Sequence, residues 1–142
     1  MSRIGSITVD AQHPAALARF WAGVLEGYAV RAYDDAEVER LAALGFTPET
    51  DPSVMVDGPG PTLCFHKMPG RTTGRNRWHL DLVAVDRAAE VARLCGLCAR
   101  VREVRTGWTT LVDPEDNPFC VLESRSRQDQ QRLKGSASSD AP

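Results

Sequence analysis

The sequence predicts an α+β fold made of two similar modules, each with a strand, a helix and further strands. Residues 4–10 alternate apolar and polar side chains, with Ile7 and Val9 on one face, which is typical of a half-buried strand. An amphipathic helix follows, and the same order of elements begins again after about residue 76. A shift of 74 residues aligns the helical segment 17–20 with the segment 91–94, which indicates an internal repeat.

The first module is predicted to contain two helices. One runs from Pro14 to about Gly27, because apolar side chains recur there at helical spacing. Asp34 and Glu37 resemble a capping box, which predicts a second helix over residues 35–44. The other extended segments are residues 28–33, Ser53–Asp57 and Thr62–Lys67, the last two joined by a Gly-Pro-Gly-Pro turn.

The second module repeats this pattern. Residues 77–85 predict a strand, and Asp86 is placed to cap the helix that carries Val91 and Leu94. Cys95 and Cys98 end that helix, whereas redox CxxC pairs begin one, so we expect them to be packing residues. The remaining predicted strands are Val101–Arg105, Trp108–Val112 and Phe119–Glu123, with a tight turn at residues 113–117.

These elements predict one domain over residues 3–124. Module one covers about 3–68 and module two about 76–124, with a polar, Gly-containing hinge between them. Residues 125–142 contain one leucine, Leu133, among polar, charged and small side chains. Such a segment buries too little apolar surface to offset the entropy of ordering, so we expect a flexible tail.

Composition excludes several classes of function. The chain has 142 residues, of which 42% are hydrophobic, and a net charge of -2. This charge gives no electrostatic reason to expect nucleic acid or an anionic membrane as a partner, and the sequence has no apolar run of membrane-spanning length. Without a secretory signal, the four cysteines are expected to be thiols and the protein cytoplasmic.

Five segments carry a resemblance to a known family. Residues 7–10, 14–21, 76–82, 107–108 and 113–120 resemble the glyoxalase-like branch of the vicinal oxygen chelate superfamily, which also contains bleomycin resistance proteins and dioxygenases. The resemblance implies two βαβββ modules whose sheets form a cup around a small-molecule cavity. It also implies a divalent metal, held in catalytic members by inward-facing side chains from the first and last strands of each module.

The metal ligands implied by the resemblance are degenerate in this chain. The first-strand position of module one is Ser6, a poor ligand, and the corresponding position of module two is His79. The position that holds Glu in metal-dependent members, seven residues after Asp113, is Cys120. His79 and Cys120 are therefore the expected metal ligands, and a complete site would add one or both of Cys64 and His66. Such a set favours zinc, because the cysteine thiolate is a soft ligand. A divalent metal and no cofactor at all both stay open.

Further candidate residues line the implied cavity. His79 and Asp81 share strand parity, so they are candidates for catalytic acid and base. Cys64 and His66 lie two residues apart and therefore share a face. The expected cavity residues are Ser6, Thr8, Cys64, His66, Phe65 and Trp108, the last two as aromatic walls.

Two functions follow from the resemblance. The first is a small-molecule-binding protein that acts as a lyase- or isomerase-type enzyme on a small oxygenated metabolite. The alternative is a metal-free protein that sequesters a drug-like or antibiotic compound. Glyoxalase I activity itself is not expected, because that reaction depends on a ligand set that this chain lacks. The resemblance also implies a homodimer.

Overall fold

The computed structural model describes residues 1, 4–70 and 79–124, and the chain divides into two compact units. Unit 1 is Met1–Gly74 and unit 2 is Arg75–Pro142. The tail predicted at residues 125–142 and most of the predicted hinge lie outside the described residues. None of the helices in the described ranges is long and apolar enough to span a membrane.

Unit 1 is a four-stranded sheet with two helices. Its strands lie in the order β1-β4-β3-β2, with β1 parallel to β4 and the other two pairs antiparallel. The elements are β1 (Ser6–Ala11), α1 (Pro14–Val24), β2 (Ala29–Val30), α2 (Asp35–Ala43), β3 (Ser53–Asp57) and β4 (Thr62–Lys67).

Helix α1 covers one face of this sheet. Its buried stripe includes Leu17, Phe20 and Trp21, and the two aromatic rings meet edge to face with centroids 5.5 Å apart. The stripe packs on alternate residues of the central strands, among them the fully buried Phe65 of β4. Burial of these side chains supplies the apolar area that stabilises the unit.

Local polar contacts fix the ends of the elements in unit 1. The Asp34 side chain accepts a hydrogen bond from the backbone N–H of Glu37, which confirms the predicted cap of α2. The turn before β4 requires glycine at position 58, because a Cβ there would lie 2.4 Å from Cγ of Tyr28. The ring of Tyr28 therefore packs directly on the turn backbone.

The second strand of unit 1 is shorter than predicted. Ladder pairing covers Ala29 and Val30, whereas the sequence predicted an extended segment over residues 28–33. Beyond the ladder, the Arg31 side chain turns to pair with Asp57, and Tyr33 donates a hydrogen bond to Asp51 at 2.9 Å. The Arg31 N–H still donates to the Met55 carbonyl at 2.8 Å, and the chain then leaves the sheet before α2 begins.

Unit 2 has the same topology as unit 1. Its strand order is β5-β8-β7-β6, with β5 parallel to β8 and the other pairs antiparallel. The elements are β5 (Asp81–Ala84), α3 (Arg87–Gly96), β6 (Arg100–Arg105), β7 (Trp108–Val112) and β8 (Pro118–Glu123). The predicted α+β class with two similar modules is thereby confirmed.

A buried carboxylate organises the turn between β7 and β8. Asp113 is fully buried and accepts hydrogen bonds from the backbone N–H groups of Glu115 and Asn117 at 2.9 and 3.0 Å. The Asn117 side chain donates to both carboxylate oxygens. This turn sets the register of β8 against β7, and β8 in turn pairs with β5.

The Asp113→Ala substitution should destabilise the protein by about 2–4 kcal/mol, because it removes a fully buried acceptor and leaves its part-buried donors unsatisfied. Urea unfolding followed by circular dichroism measures this loss. Asp35→Ala, at an exposed aspartate in the first turn of α2, is the matched control and should cost less than about 1 kcal/mol. Equal losses in the two variants would contradict the role given to Asp113.

The contribution of the Arg31–Asp57 pair to stability should depend on pH in the acid range. Hydrogen bonds from Arg31 and then from Thr62 lower the pKa of Asp57 from 3.8 to about 2. A lowered pKa means that the pair stabilises the fold above about pH 4 and loses this contribution as the pH falls towards 2. Because both side chains are partly exposed, the contribution is below about 1 kcal/mol. Carboxyl NMR should show the Asp57 midpoint rise in Arg31→Ala; an unchanged midpoint would contradict the pairing.

Candidate functional site

The strand register divides each sheet into a helix-covered face and an open face. In unit 2, Leu111, Phe119 and Val121 are buried on the side of α3. Their strand neighbours Thr110 and Cys120 point to the other side, which we call the open face. On this face the register aligns Asp81, Cys120 and Thr110 in one row across three strands.

Three candidate site residues meet on the open face of unit 2. Asp81 lies opposite Cys120 in the parallel ladder of β5 and β8, and His79 stands two residues before Asp81. Nε2 of His79 lies 3.1 Å from Oδ1 of Asp81. The imidazole nitrogen, carboxylate oxygen and Cys120 Sγ that each residue offers all lie within 4.8 Å of one another.

Neighbouring groups hold this cluster in place while leaving it accessible. The Cys120 N–H donates to the Leu80 carbonyl at 2.9 Å, which ties the cysteine to the chain between the other two residues. Oγ1 of Thr110 lies 3.5 Å from Cys120 Sγ, within hydrogen-bonding distance for sulfur. The side chains of His79 and Asp81 are 45% and 54% exposed, so a small ligand or ion reaches them from solvent.

The open face of unit 1 carries the other polar candidates. Ser6, Thr8 and Asp10 of β1 lie opposite Thr62, Cys64 and His66 of β4. His66 is also opposite Ser53 of β3, and the Ser53 hydroxyl lies 2.7 Å from Nδ1 of His66. Asp10, His66 and Ser53 thus form a polar row across three strands.

Matching registers make the two units directly comparable. Cys64 and Cys120 are each the third residue of the last strand of their unit, opposite Thr8 and Asp81 respectively. Counting two residues back along the first strand reaches Ser6 in unit 1 and His79 in unit 2. By this count Ser6 and His79 stand at equivalent positions of the two units.

The two predicted aromatic walls have different environments. Phe65 is fully buried on the helix-covered face of unit 1, opposite to the face of Cys64 and His66. Its assignment as a cavity wall is therefore corrected: alternation along β4 turns its ring into the core. Trp108 lies on the open face of unit 2, opposite Leu122 of β8.

Other potential ligands lie apart from the cluster. Cys95 and Cys98 are exposed at the end of α3, so the expectation that they are packing residues is wrong. Glu123 pairs in register with Ala84; it lies three residues beyond Cys120 and therefore on the opposite face of the sheet. Over residues 1, 4–70 and 79–124, no second group of three His, Cys, Asp or Glu side chains has the spacing of a metal site.

Sequence reasoning missed two supporting residues. Ser53 contacts His66 from the neighbouring strand, and Thr110 contacts Cys120 in the same way. Both begin or lie within predicted strands, but a hydroxyl on a strand gives no local signal of its partner. The pairing of β3 with β4 and of β7 with β8 is the information that was needed.

Comparison with known proteins identifies a family. The family model for the glyoxalase-like domain matches residues 6–122. A search of the curated proteins gives no match.

Solved structures share the fold at low sequence identity. The fosfomycin resistance protein FosX from Mesorhizobium loti has a TM-score of 0.62 at 12% identity, covering 93% of this chain and 98% of that one. A glyoxalase/bleomycin resistance protein/dioxygenase family enzyme from Burkholderia phytofirmans has a TM-score of 0.59 at 13% identity, covering 86% and 98%. A FosX variant from Listeria monocytogenes, complexed with Mn(II) and 1S,2S-dihydroxypropylphosphonic acid, has a TM-score of 0.59 at 11% identity, covering 93% and 98%.

Burial predicts an order of thiol reactivity. Cys95 and Cys98 are exposed, whereas Cys64 and Cys120 are half-buried between neighbouring strands, so the first two should be alkylated several-fold faster. Partial labelling with iodoacetamide followed by peptide mass spectrometry measures all four sites in one sample. Faster labelling of Cys64 than of Cys95 would contradict the placement of these strands.

Proposed function

The chain belongs to the glyoxalase-like domain family, and from this premise we propose that it is a metal-assisted enzyme acting on a small oxygenated molecule. The observation that carries the proposal is the convergence of His79, Asp81 and Cys120 on one open sheet face. Two of these residues belong to β5 and the segment just before it, and the third to the paired strand β8. The reaction is proposed to be of the lyase or isomerase type, and glyoxalase I activity itself is not proposed.

The chemistry of the three side chains fits a divalent ion. Imidazole nitrogen, carboxylate oxygen and thiolate sulfur are all zinc ligands, and the thiolate favours zinc over manganese. Tetrahedral zinc needs ligand atoms about 3.4–3.8 Å apart. The three potential ligand atoms lie within 4.8 Å of one another, so side-chain rotations that move them by about an ångström would bring them to this distance. The side chains of His79 and Asp81 are exposed enough to make such rotations. Three protein ligands also leave a coordination position open, as in catalytic zinc sites.

The ion would polarise a carbonyl or stabilise an enediolate oxygen of the substrate. The protein side chains supply orientation. His79 and Asp81 hold one another at 3.1 Å, which fixes the imidazole on the open face, and the Thr110 hydroxyl orients the sulfur of Cys120. In the metal-free protein the same imidazole and carboxylate are positioned to exchange a proton, so they are the proposed acid and base of a metal-independent route.

We propose that the open face of unit 1 provides small-molecule contacts of its own. Ser6, Thr8, Cys64 and His66 share that face, and the contact with Ser53 fixes the ring of His66. The neutral hydroxyls suit hydrogen bonding to substrate oxygens.

A metal-free protein that sequesters a drug-like compound is the less favoured alternative. Such a protein needs aromatic side chains that stack on its ligand, and Phe65, one of the two expected, is buried in the core. The homodimer and the cytoplasmic location expected from the sequence stay predictions.

Zinc binding tests the proposal. The purified protein, loaded with zinc and desalted, should hold one equivalent by elemental mass spectrometry. His79→Ala and Cys120→Ala should each weaken zinc binding by at least about tenfold, since loss of a supporting residue alone typically costs 10–100-fold. Cys95→Ala is the control: it removes an exposed thiol that is not part of the cluster, and the variant should bind zinc as the wild type does.

Two outcomes would contradict the metal-assisted enzyme. One is a wild-type protein that retains no zinc, nickel, iron or manganese after loading. The other is zinc that is lost in Cys95→Ala but retained in Cys120→Ala, which would move the metal to another thiol. Ligand-induced stabilisation that persists with a chelator would then support the sequestration alternative.

A further inference from the structure

We propose that the substrate joins an oxygen-donor head group to an apolar, planar body, and that this body binds a row formed by Val83, Leu122 and Trp108. The inference rests on the proposed function, because the head group is placed at His79, Asp81 and Cys120. It adds a substrate class, which the family assignment does not give.

Strand register places the three residues side by side. Val83 of β5 lies opposite Leu122 of β8, and Leu122 lies opposite Trp108 of β7. Each is two residues along its strand from the row of Asp81, Cys120 and Thr110, so both rows share the open face. Two residues of strand correspond to about 7 Å, the distance from a ligating oxygen to the far side of an attached ring.

The row is apolar and partly exposed to solvent. Val83 is 48% exposed and Trp108 is 41% exposed, and Leu122 between them is partly exposed. Single exposed apolar side chains are ordinary, but three in register on one face form a continuous patch. Placed beside a cluster of ligand-type side chains, such a patch is typical of a small-molecule site.

Comparison with unit 1 shows that the fold does not require apolar residues there. The equivalent row of unit 1 consists of Asp10, His66 and Ser53, all polar, in the same topology. The core of each unit lies on the other face, under its helix. The apolar side chains of unit 2 therefore contribute little to folding, and a function in binding accounts for them.

The length of the row limits the size of the bound body. Val83, Leu122 and Trp108 span three strands, or about 10 Å. Beyond Trp108 the register reaches Arg105 of β6, whose guanidinium is paired with Glu103 at 2.5 Å. A single aromatic ring fits this length, whereas a sugar or other polyol would leave its hydroxyls against the indole and the aliphatic side chains.

A pair of hydroxamates measures the contributions of the head group and of the apolar body to affinity separately. Acetohydroxamate and benzohydroxamate share the metal-binding oxygens and differ in a methyl or a phenyl group. Isothermal titration of the zinc-loaded protein should give at least about tenfold tighter binding of benzohydroxamate, in line with stacking plus apolar burial. Trp108→Ala should reduce this ratio at least threefold and leave acetohydroxamate binding unchanged within twofold.

Two further variants complete the design. Val83→Ser changes the other end of the row and should also reduce the ratio, which covers the case in which Trp108→Ala fails to fold. Val104→Ala is the control, because Val104 is an exposed valine of the same sheet that lies opposite Thr109, on the helix side. It should leave both affinities unchanged.

The outcomes distinguish the two proposals. If acetohydroxamate binds but benzohydroxamate binds no more tightly, or the ratio survives in Trp108→Ala and Val83→Ser, the apolar body is wrong and the metal centre stands. If neither hydroxamate binds and no metal is retained, the proposed function fails and this inference fails with it.

Discussion

The candidate site depends on the register of one parallel strand pair. Asp81 lies opposite Cys120 because β5 and β8 pair in this alignment, and the hydrogen bond from Cys120 to Leu80 is part of it. A slip of one residue would turn Cys120 towards α3 and bring Val121 or Phe119 to the open face. The buried faces of Phe119 and Val121 oppose that slip, so core packing fixes the chemistry on the other side of the sheet. Asp113 supports the same register from the adjoining turn.

The two units show how one scaffold carries two different surfaces. Each buries alternate residues of its central strands beneath a helix, and these positions are apolar in both units. The open faces are not constrained by this packing, and their equivalent rows differ: Asp10, His66 and Ser53 in one unit, Val83, Leu122 and Trp108 in the other. Side chains on the open faces therefore differ without cost to the core, which is where binding and catalytic residues are expected to diverge.

The sequence predicted the elements well because the signals were local. Alternation and a Gly-Pro turn gave the bounds of β3 and β4, and Asp34 and Asp86 each cap a helix as predicted. Alternation also excludes a common face for Phe65 and its neighbours Cys64 and His66. What the pattern lacked was which face the helix covers, a tertiary property. The contacts of Ser53 with His66 and of Thr110 with Cys120 depend on strand pairing over 10 to 13 residues, and no local preference encodes them.

The position of the cluster also links ligation to the order of an edge strand. β5 has four residues, lies at one end of the strand order of its sheet and pairs with β8. An ion bound by His79 and Asp81 on one side and Cys120 on the other would join β5 to β8 across the ladder. Because such an ion binds the paired arrangement and not the open one, its binding free energy adds to strand pairing. Metal affinity and the stability of the β5–β8 pairing would then be thermodynamically linked. The apolar row, which begins at Val83 of β5, is aligned by the same pairing that brings Asp81 and Cys120 together.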